Sequence, residues 1–472
     1  MVFVSPIFIF IFLPFTLLLY ILMSFTGRMA PKNLALLLCS LIFYAWGGVR
    51  YFILLMISTV ANYVFGRLLE TENEKSRKLV LIASVIWNIG ILFIFKYFNF
   101  FADTLLSLLG FAGIDPDVSL PYITLPIGIS FFTFQIMSYV IDVYWRKVPV
   151  QKSLVNLALY IMLFPQLIAG PIVRYIDVER EINERKADAA MIHDGITRFI
   201  VGFSKKILLA NSMGYAADTI FGYGKVNTAY AWIGVICYAL QIYMDFSSYS
   251  DMAIGMGKML GFRFLENFNY PYISRSVREF WRRWHISLST WFRDYVYIPL
   301  GGSRCGKWKT YRNQIIIFLL TGFWHGASWN FVIWGLYYGV FLVLERAFLG
   351  DRLSKLPSIV QHIYTLLIVL VGWVFFRCET LPAAMSYLSS MFSFDFSDFN
   401  VMDILRIFDN EFYFMFAVSL IGSCPVVPRL KGLISGNQIL MTLSDMLLLL
   451  LFFFSVCYMM GADFNPFIYF RF

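Results

Sequence analysis

The sequence is poor in charge. Only 14% of its 472 residues are Asp, Glu, Lys or Arg, against 59% apolar, which is too little polar surface for a soluble protein of this length. A mean hydropathy of +0.70 agrees. The chain also lacks paired cysteines: Cys39, Cys237, Cys305, Cys378, Cys424 and Cys457 stand far apart with no Cys-x-x-Cys. Neither a zinc site nor a disulfide framework is indicated, so no metal is expected. There is no Gly-rich phosphate loop, internal repeat, low-complexity tract or Gly-x-Ser-x-Gly nucleophile elbow. Nothing marks off a soluble domain, so residues 1–472 read as a single transmembrane domain.

What is present is a series of long continuous apolar runs, such as Val4 to Phe25 and Met446 to Met460. A transmembrane barrel would instead alternate in polarity, so the predicted fold class is an all-α polytopic membrane protein. The first run has no charge before Arg28 and reads as an uncleaved anchor. Candidate spans are Pro6 to Phe25, Asn33 to Trp46, Tyr51 to Phe65, Leu79 to Phe95, Leu125 to Tyr144 and Leu154 to Ala169. They continue with Ala229 to Met244, Gln314 to Phe331, Val332 to Leu344, Ile359 to Phe376, Glu411 to Ile421 and Asp445 to Tyr458. That makes about ten to twelve transmembrane or re-entrant helices.

A net charge of +9 could suit a nucleic-acid partner, but the cations lie in short clusters between apolar runs. Membrane topology explains them better, and the partner they imply is the bilayer, with no nucleic acid. The segment Arg67 to Lys78 carries four cations, whereas Phe98 to Leu120 has three Asp and no Lys or Arg. The first is therefore expected in the cytoplasm and the second outside, which places the N-terminus outside. A full crossing by Leu154 to Ala169 would strand Arg174, Arg180, Arg185 and Lys186 on the outer side. Pro165 and Gly170-Pro171 interrupt that segment, so a re-entrant, cavity-lining hairpin is expected.

The run Asn313 to Leu344 holds no charged residue over 32 positions, longer than the roughly 20 needed to cross a bilayer. Gly322, Gly326 and Asn330 are expected to mark a break. Inside it lies His325, an ionisable group at membrane depth, which by default marks chemistry or transport. The alternative is an imidazole satisfied by a neighbouring helix. Ser274 to Arg312 carries nine Arg or Lys interleaved with Trp281, Trp284, Trp291, Phe292, Tyr295 and Tyr297. It reads in part as an interfacial helix meeting lipid headgroups, and its Arg cluster could equally hold a phosphorylated donor. His285 lies within it, where an interface would also tolerate an imidazole.

Asp245 and Asp251 follow an apolar span and are six residues apart, so they do not share a helical face and a paired-carboxylate mechanism is disfavoured. A tunnel-lining or hydrogen-bonding role and a helix-capping role both remain open for them. A proton relay through His325, Asp245 and Asp251 would make the chain a proton-coupled transporter, although the inverted repeats of such proteins are not visible.

His285 and His325, 40 residues apart and each beside a Trp, resemble the signature of the membrane-bound O-acyltransferases. The likeness extends to Phe164-Pro165-Gln166-Leu167-Ile168-Ala169-Gly170-Pro171, to Tyr243 through Gly255, to Trp291-Phe292-Arg293-Asp294-Tyr295 through Pro299, and to the terminal Asn465 through Phe472. It is nearest to the branch that O-acetylates polysaccharides, typified by the membrane subunits of alginate and peptidoglycan O-acetylases. The resemblance implies spans arranged around a central tunnel with His325 near its middle, in a bacterial cytoplasmic membrane. Acetyl-CoA would enter from the cytoplasm and the acceptor hydroxyl from the other side.

In that scheme His325 is the catalytic base, and His285 orients the acceptor, polarises the thioester or carries a proton. Substrate-binding or tunnel-lining candidates are Gln166, Asp245, Ser247, Ser248, Asp251, Trp281, Arg282, Trp284, Trp324 and Asn330, with Trp329 a weaker one. The final acceptor is a cell-surface polysaccharide, reached through an extracytoplasmic SGNH-type Ser-hydrolase-like partner that supplies the missing nucleophile elbow. The related branch that moves D-alanine from a carrier protein to teichoic acid is the second enzyme reading.

Overall fold

The computed structural model describes residues 1–114, 120–126, 128–167, 170–397, 408–434 and 436–461. Among them every regular element is helical and there is no strand, as the bilayer demands when each backbone N–H and C=O must be satisfied within its own segment. Six helices among the described residues are long and apolar enough to cross a membrane: Tyr51–Leu68, Glu74–Phe111, Thr228–Met259, Trp329–Leu353, Ser358–Arg377 and Gln438–Gly461. Three shorter apolar helices, Phe8–Ser24, Met29–Ala45 and Ile129–Tyr144, accompany them. Large apolar side chains such as Leu447, Leu450 and Phe454 are exposed on the last long helix, which is the side chain pattern lipid contact requires.

Thr228–Met259 is buried over most of its length. Small residues allow its neighbour Ala189–Ser204 to approach backbone to backbone. A Cβ on Gly195 would stand 2.7 Å from Gly255 O, and one on Gly202 2.7 Å from Ser248 O. The span expected to stop at Met244 therefore continues for fifteen more residues. Its polar residues are accommodated in place. Asp245 is buried in an ion pair with Lys206 at 2.8 Å, and Asp251 meets Arg198 at 2.9 Å and Lys205 at 2.8 Å. Both carboxylates lie inside the helix, so the capping role fails. Lys205 and Lys206 open a π-helical turn, Lys205–Ala210, packed against the same helix.

The segment expected to be re-entrant is short and broken. Leu154–Met162 has nine residues, a rise of about 14 Å against a hydrocarbon core of about 30 Å. It ends at Leu163, whose ψ of 113° leaves the helix, and Phe164–Leu167 adds one turn. Residues 157–167 are all buried in protein. Ile168 and Ala169, and the terminal Asn465 to Phe472 string, lie outside the described residues.

The basic aromatic stretch departs from an interfacial helix. It consists of short pieces, Val277–Arg283, Ile286–Phe292 and the π turn Arg293–Tyr297, and Trp281, Trp284, Trp291, Phe292 and Tyr295 are buried. The reason is aromatic packing within the protein. Trp291 stacks on Phe134 at 3.8 Å and donates to Phe134 O at 2.9 Å, while Trp284 packs on Phe268 and Trp373.

The uncharged run falls within two helices, Lys307–His325 and Trp329–Leu344, separated at 326–328 where the glycine pattern places the break. They pack at close range because a Cβ on Gly335 would collide with Phe318 O and one on Gly322 with Phe331 O.

Candidate active site

His325 ends the helix Lys307–His325, thirteen residues beyond Arg312. That is about 20 Å along the helix axis, within the thickness of the hydrocarbon core. Its imidazole is 3% exposed and stands edge-on to Trp324 at 5.0 Å, Trp334 at 5.1 Å and Phe376 at 5.1 Å. Nδ1 is buried with no hydrogen-bond partner.

His285 joins the two short helices of the basic stretch in a left-handed conformation, φ 43°. A non-glycine residue rarely holds that conformation unless its surroundings impose it. It is buried against Phe246 at 4.7 Å and Trp324 at 5.8 Å, not at a lipid interface. Trp324 thus touches both histidines.

Asn267 sets the tautomer of His285. Its Oδ1 accepts the backbone N–H of Ser287 at 3.3 Å and the Ser287 hydroxyl at 2.9 Å, while its Nδ2 donates to Ser250 at 2.9 Å. The atom 3.0 Å from His285 Nδ1 is therefore an acceptor, and Nδ1 must carry the proton. Nε2 keeps its lone pair, buried and without a partner.

The indole N–H groups of Trp281, Trp324 and Trp334 are buried and unpartnered as well. Trp281 touches Trp334 at 5.5 Å, so Trp281, Trp334, His325, Trp324 and His285 form one connected chain of rings. Each carries a polar atom that has no partner among the described residues, although buried polar groups in folded proteins are nearly always bonded. The Asn330 and Gln166 side chains repeat the pattern. Asn330 donates to Cys378 O and Gln166 to Tyr160 O, and each leaves its carbonyl oxygen without a partner. Gln135 is buried with neither end bonded, and so is the hydroxyl of Ser247.

A partly open cavity of about 1140 Å³ adjoins this chain. Its lining includes Lys96, Gly326 and Phe376, which adjoin His325, together with Gln241, Asn330 and Arg377. It is at the end of the Glu74–Phe111 rod remote from Glu74, and so opposite the basic segment 67–78.

The remaining predicted residues lie elsewhere. Asp245 and Asp251 are held by cations and are absent from the cavity lining. Ser248 donates back to Asp245 O within its own helix. Trp284 is packed among aromatic rings, and Arg282 is exposed. Among the described residues no three His, Cys, Asp or Glu gather as metal ligands would.

Sequence reasoning missed four residues. Trp334 was within reach, since it shares the uncharged run with His325. Asn267 and Gln135 carry no sequence signal. Lys96 does: it is a lone cation between Phe95 and Phe98, one residue beyond a predicted span.

Residues 146–390 match the model of the membrane-bound O-acyltransferase family. The chain belongs to that family. It is accordingly an O-acyltransferase of the membrane. The match contains both histidines and the three indoles, whereas Lys96 and Gln135 precede it. The chain is 44% identical to a probable alginate O-acetylase, AlgI, of Azotobacter vinelandii over 86% of its own length and 80% of that protein's. It is 40% identical to the protein of the same name from Pseudomonas putida over 100% of both chains. With the peptidoglycan O-acetyltransferase of Helicobacter pylori it shares 35% identity, covering 83% of this chain and 80% of the relative.

Proposed function

We propose that the protein takes acetyl from cytoplasmic acetyl-CoA and passes it across the membrane for O-acetylation of a cell-surface polysaccharide, either alginate-like or peptidoglycan. The relatives named for those acceptors support the acyl group and the acceptor class. The observation that carries the mechanism is the chain of unsatisfied polar atoms around His325, next to a cavity at the far end of the Glu74–Phe111 helix from the basic segment 67–78.

In this reading a hydroxyl enters from the cavity and the thioester from the basic side. The unpartnered imidazole of His325 takes the hydroxyl proton, and the oxygen attacks the acetyl carbonyl to give a tetrahedral intermediate. The C–S bond breaks, the ester forms, and the CoA thiolate leaves with the proton from the imidazolium. Buried indole N–H groups are suited to meet the carbonyl oxygen as it gains charge, because donors in a water-poor site need no reorganisation. His285, with a lone pair on Nε2, accepts a proton or a hydroxyl hydrogen bond; in the neutral form it has no Nε2 proton with which to polarise a carbonyl.

The hydroxyl belongs to an extracytoplasmic Ser-hydrolase-like partner or to an intermediate carrier, with the polysaccharide receiving acetyl afterwards. The N-terminus and the cavity then face outward and residues 67–78 face the cytoplasm. The test uses the purified protein in nanodiscs with acetyl-labelled CoA. Free CoA should appear together with acetyl on an added hydroxyl acceptor, without any ion gradient. Absence of acetyl-CoA turnover, or a requirement for a proton gradient, would reject the reading.

A further inference from the structure

Lys96 is a buried lysine in the membrane-spanning rod Glu74–Phe111, at the wall of the cavity beside His325. Among the described residues it is in no ion pair with a carboxylate, in contrast to Lys206, the other buried lysine. Its ammonium donates instead to Ser130 Oγ at 3.1 Å, to Trp324 O, and at 3.5 Å to His325 O. Next to it, Tyr97 donates its hydroxyl to Phe323 O at 2.8 Å. Both residues lie in a π-helical turn, Phe93–Tyr97, a feature that re-aims side chains and recurs at functional sites.

The carbonyls they meet are the last of the helix Lys307–His325. A helix leaves its final carbonyls without internal partners and concentrates negative partial charge there. The usual remedy, a left-handed residue that folds the chain back, is missing: Gly326 is extended, with φ −166°, and returns a single N–H to Gly322 O. Exposure to water does not replace it, since Trp324 and His325 are buried.

We propose that Lys96 is a positioning residue for acyl transfer. It caps the buried C-terminus of the helix that ends in His325, and so fixes the imidazole against the acceptor. The cap ties together three helices, the rod, Ile129–Tyr144 through Ser130, and Lys307–His325. A cation there suits the helix end, and its three hydrogens are matched by two backbone carbonyls and the Ser130 hydroxyl, which leaves none for an anion.

This inference rests on His325 being the base, and the two can fail separately. The experiment compares steady-state acetyl transfer by wild type, Lys96→Met, Lys96→Arg and His325→Ala in nanodiscs, each on the monodisperse, folded fraction. Removing a charge from a membrane helix should not impede insertion. Lys96→Met is expected to lower kcat about 10-fold or more with the KM for acetyl-CoA unchanged, and Lys96→Arg, which keeps the donors, to recover part of that loss. A merely structural lysine would reduce the yield of folded protein and leave its kcat intact. Wild-type kcat in Lys96→Met, or no recovery in Lys96→Arg, would overturn the cap while a dead His325→Ala leaves the base in place. Should Lys96→Met not fold, Tyr97→Phe removes the adjoining cap on Phe323 without removing charge. A lower kcat at unchanged KM then supports the inference, and a wild-type kcat overturns it.

Discussion

Asn267 Oδ1 lies 3.0 Å from His285 Nδ1 and also accepts the backbone N–H of Ser287, so the His285 proton is on Nδ1 and the lone pair on Nε2. A loop residue with no sequence signal thereby decides what the first histidine can do: it presents an acceptor to the site. Asn267→Ala should free the ring to adopt the other tautomer and leave Nδ1 unpaired. A buried hydrogen bond lost from one side costs about 1–3 kcal/mol, so activity should fall roughly 5- to 150-fold. Acetyl transfer per folded protein measures this, and activity equal to wild type would show that the tautomer is not controlled from Asn267.

The close packing of the two helices around the break makes a second prediction. Gly335→Ala should push a methyl into Phe318 O and force the helix bearing His325 away from Trp329–Leu344. Overpacking of this kind costs about 1–3 kcal/mol. A lower melting temperature in detergent and reduced activity are expected together, whereas Gly90→Ala, with open space around it, should leave the melting temperature unchanged.

Lys206→Ala should be more damaging than its distance from the cavity suggests. It would remove the cation 2.8 Å from the buried Asp245 carboxylate, and breaking a buried pair from one side costs about 3–5 kcal/mol. Combining Lys206→Met with Asp245→Asn should restore much of the stability. Thermal unfolding of the single and double variants tests it, and a double variant no more stable than Lys206→Ala would contradict the pairing.

The charge pattern predicts that Lys75→Cys is labelled from the cytoplasm and Ser107→Cys from outside, in a background with the exposed Cys424 and Cys457 replaced. Labelling of position 75 from outside intact cells would invert the topology and with it the entry side proposed for the donor.

Much of this architecture can be read from the chain because the bilayer enforces it. The absence of charge from 313 to 344 and the glycines within it locate both the break and His325. Pro165 and Gly170-Pro171 likewise mark the short broken helix. The reading fails where distant residues meet. Asp245 and Asp251 look like the end of a span until Lys205, Lys206 and Arg198, some 40 to 50 positions earlier, neutralise them within the helix. The tryptophans of the basic stretch resemble an interfacial belt, but their partners, Phe134, Phe268 and Trp373, come from three other parts of the chain. Lys96 is visible as a lone cation, yet only the fold brings it to the carbonyls of Trp324 and His325.

The most direct test of the account is acetyl incorporation into cell-surface polysaccharide by His325→Ala, in cells lacking the wild-type copy and normalised to the amount of protein in the membrane. General base catalysis contributes roughly 10²- to 10⁴-fold, and neither Trp334 nor Phe376, whose rings enclose the imidazole, can replace it. Acetylation should therefore be abolished while insertion and folding persist, with a defect far larger than that of Asn330→Ala at the cavity wall. Near-normal acetylation by His325→Ala would contradict the proposed mechanism.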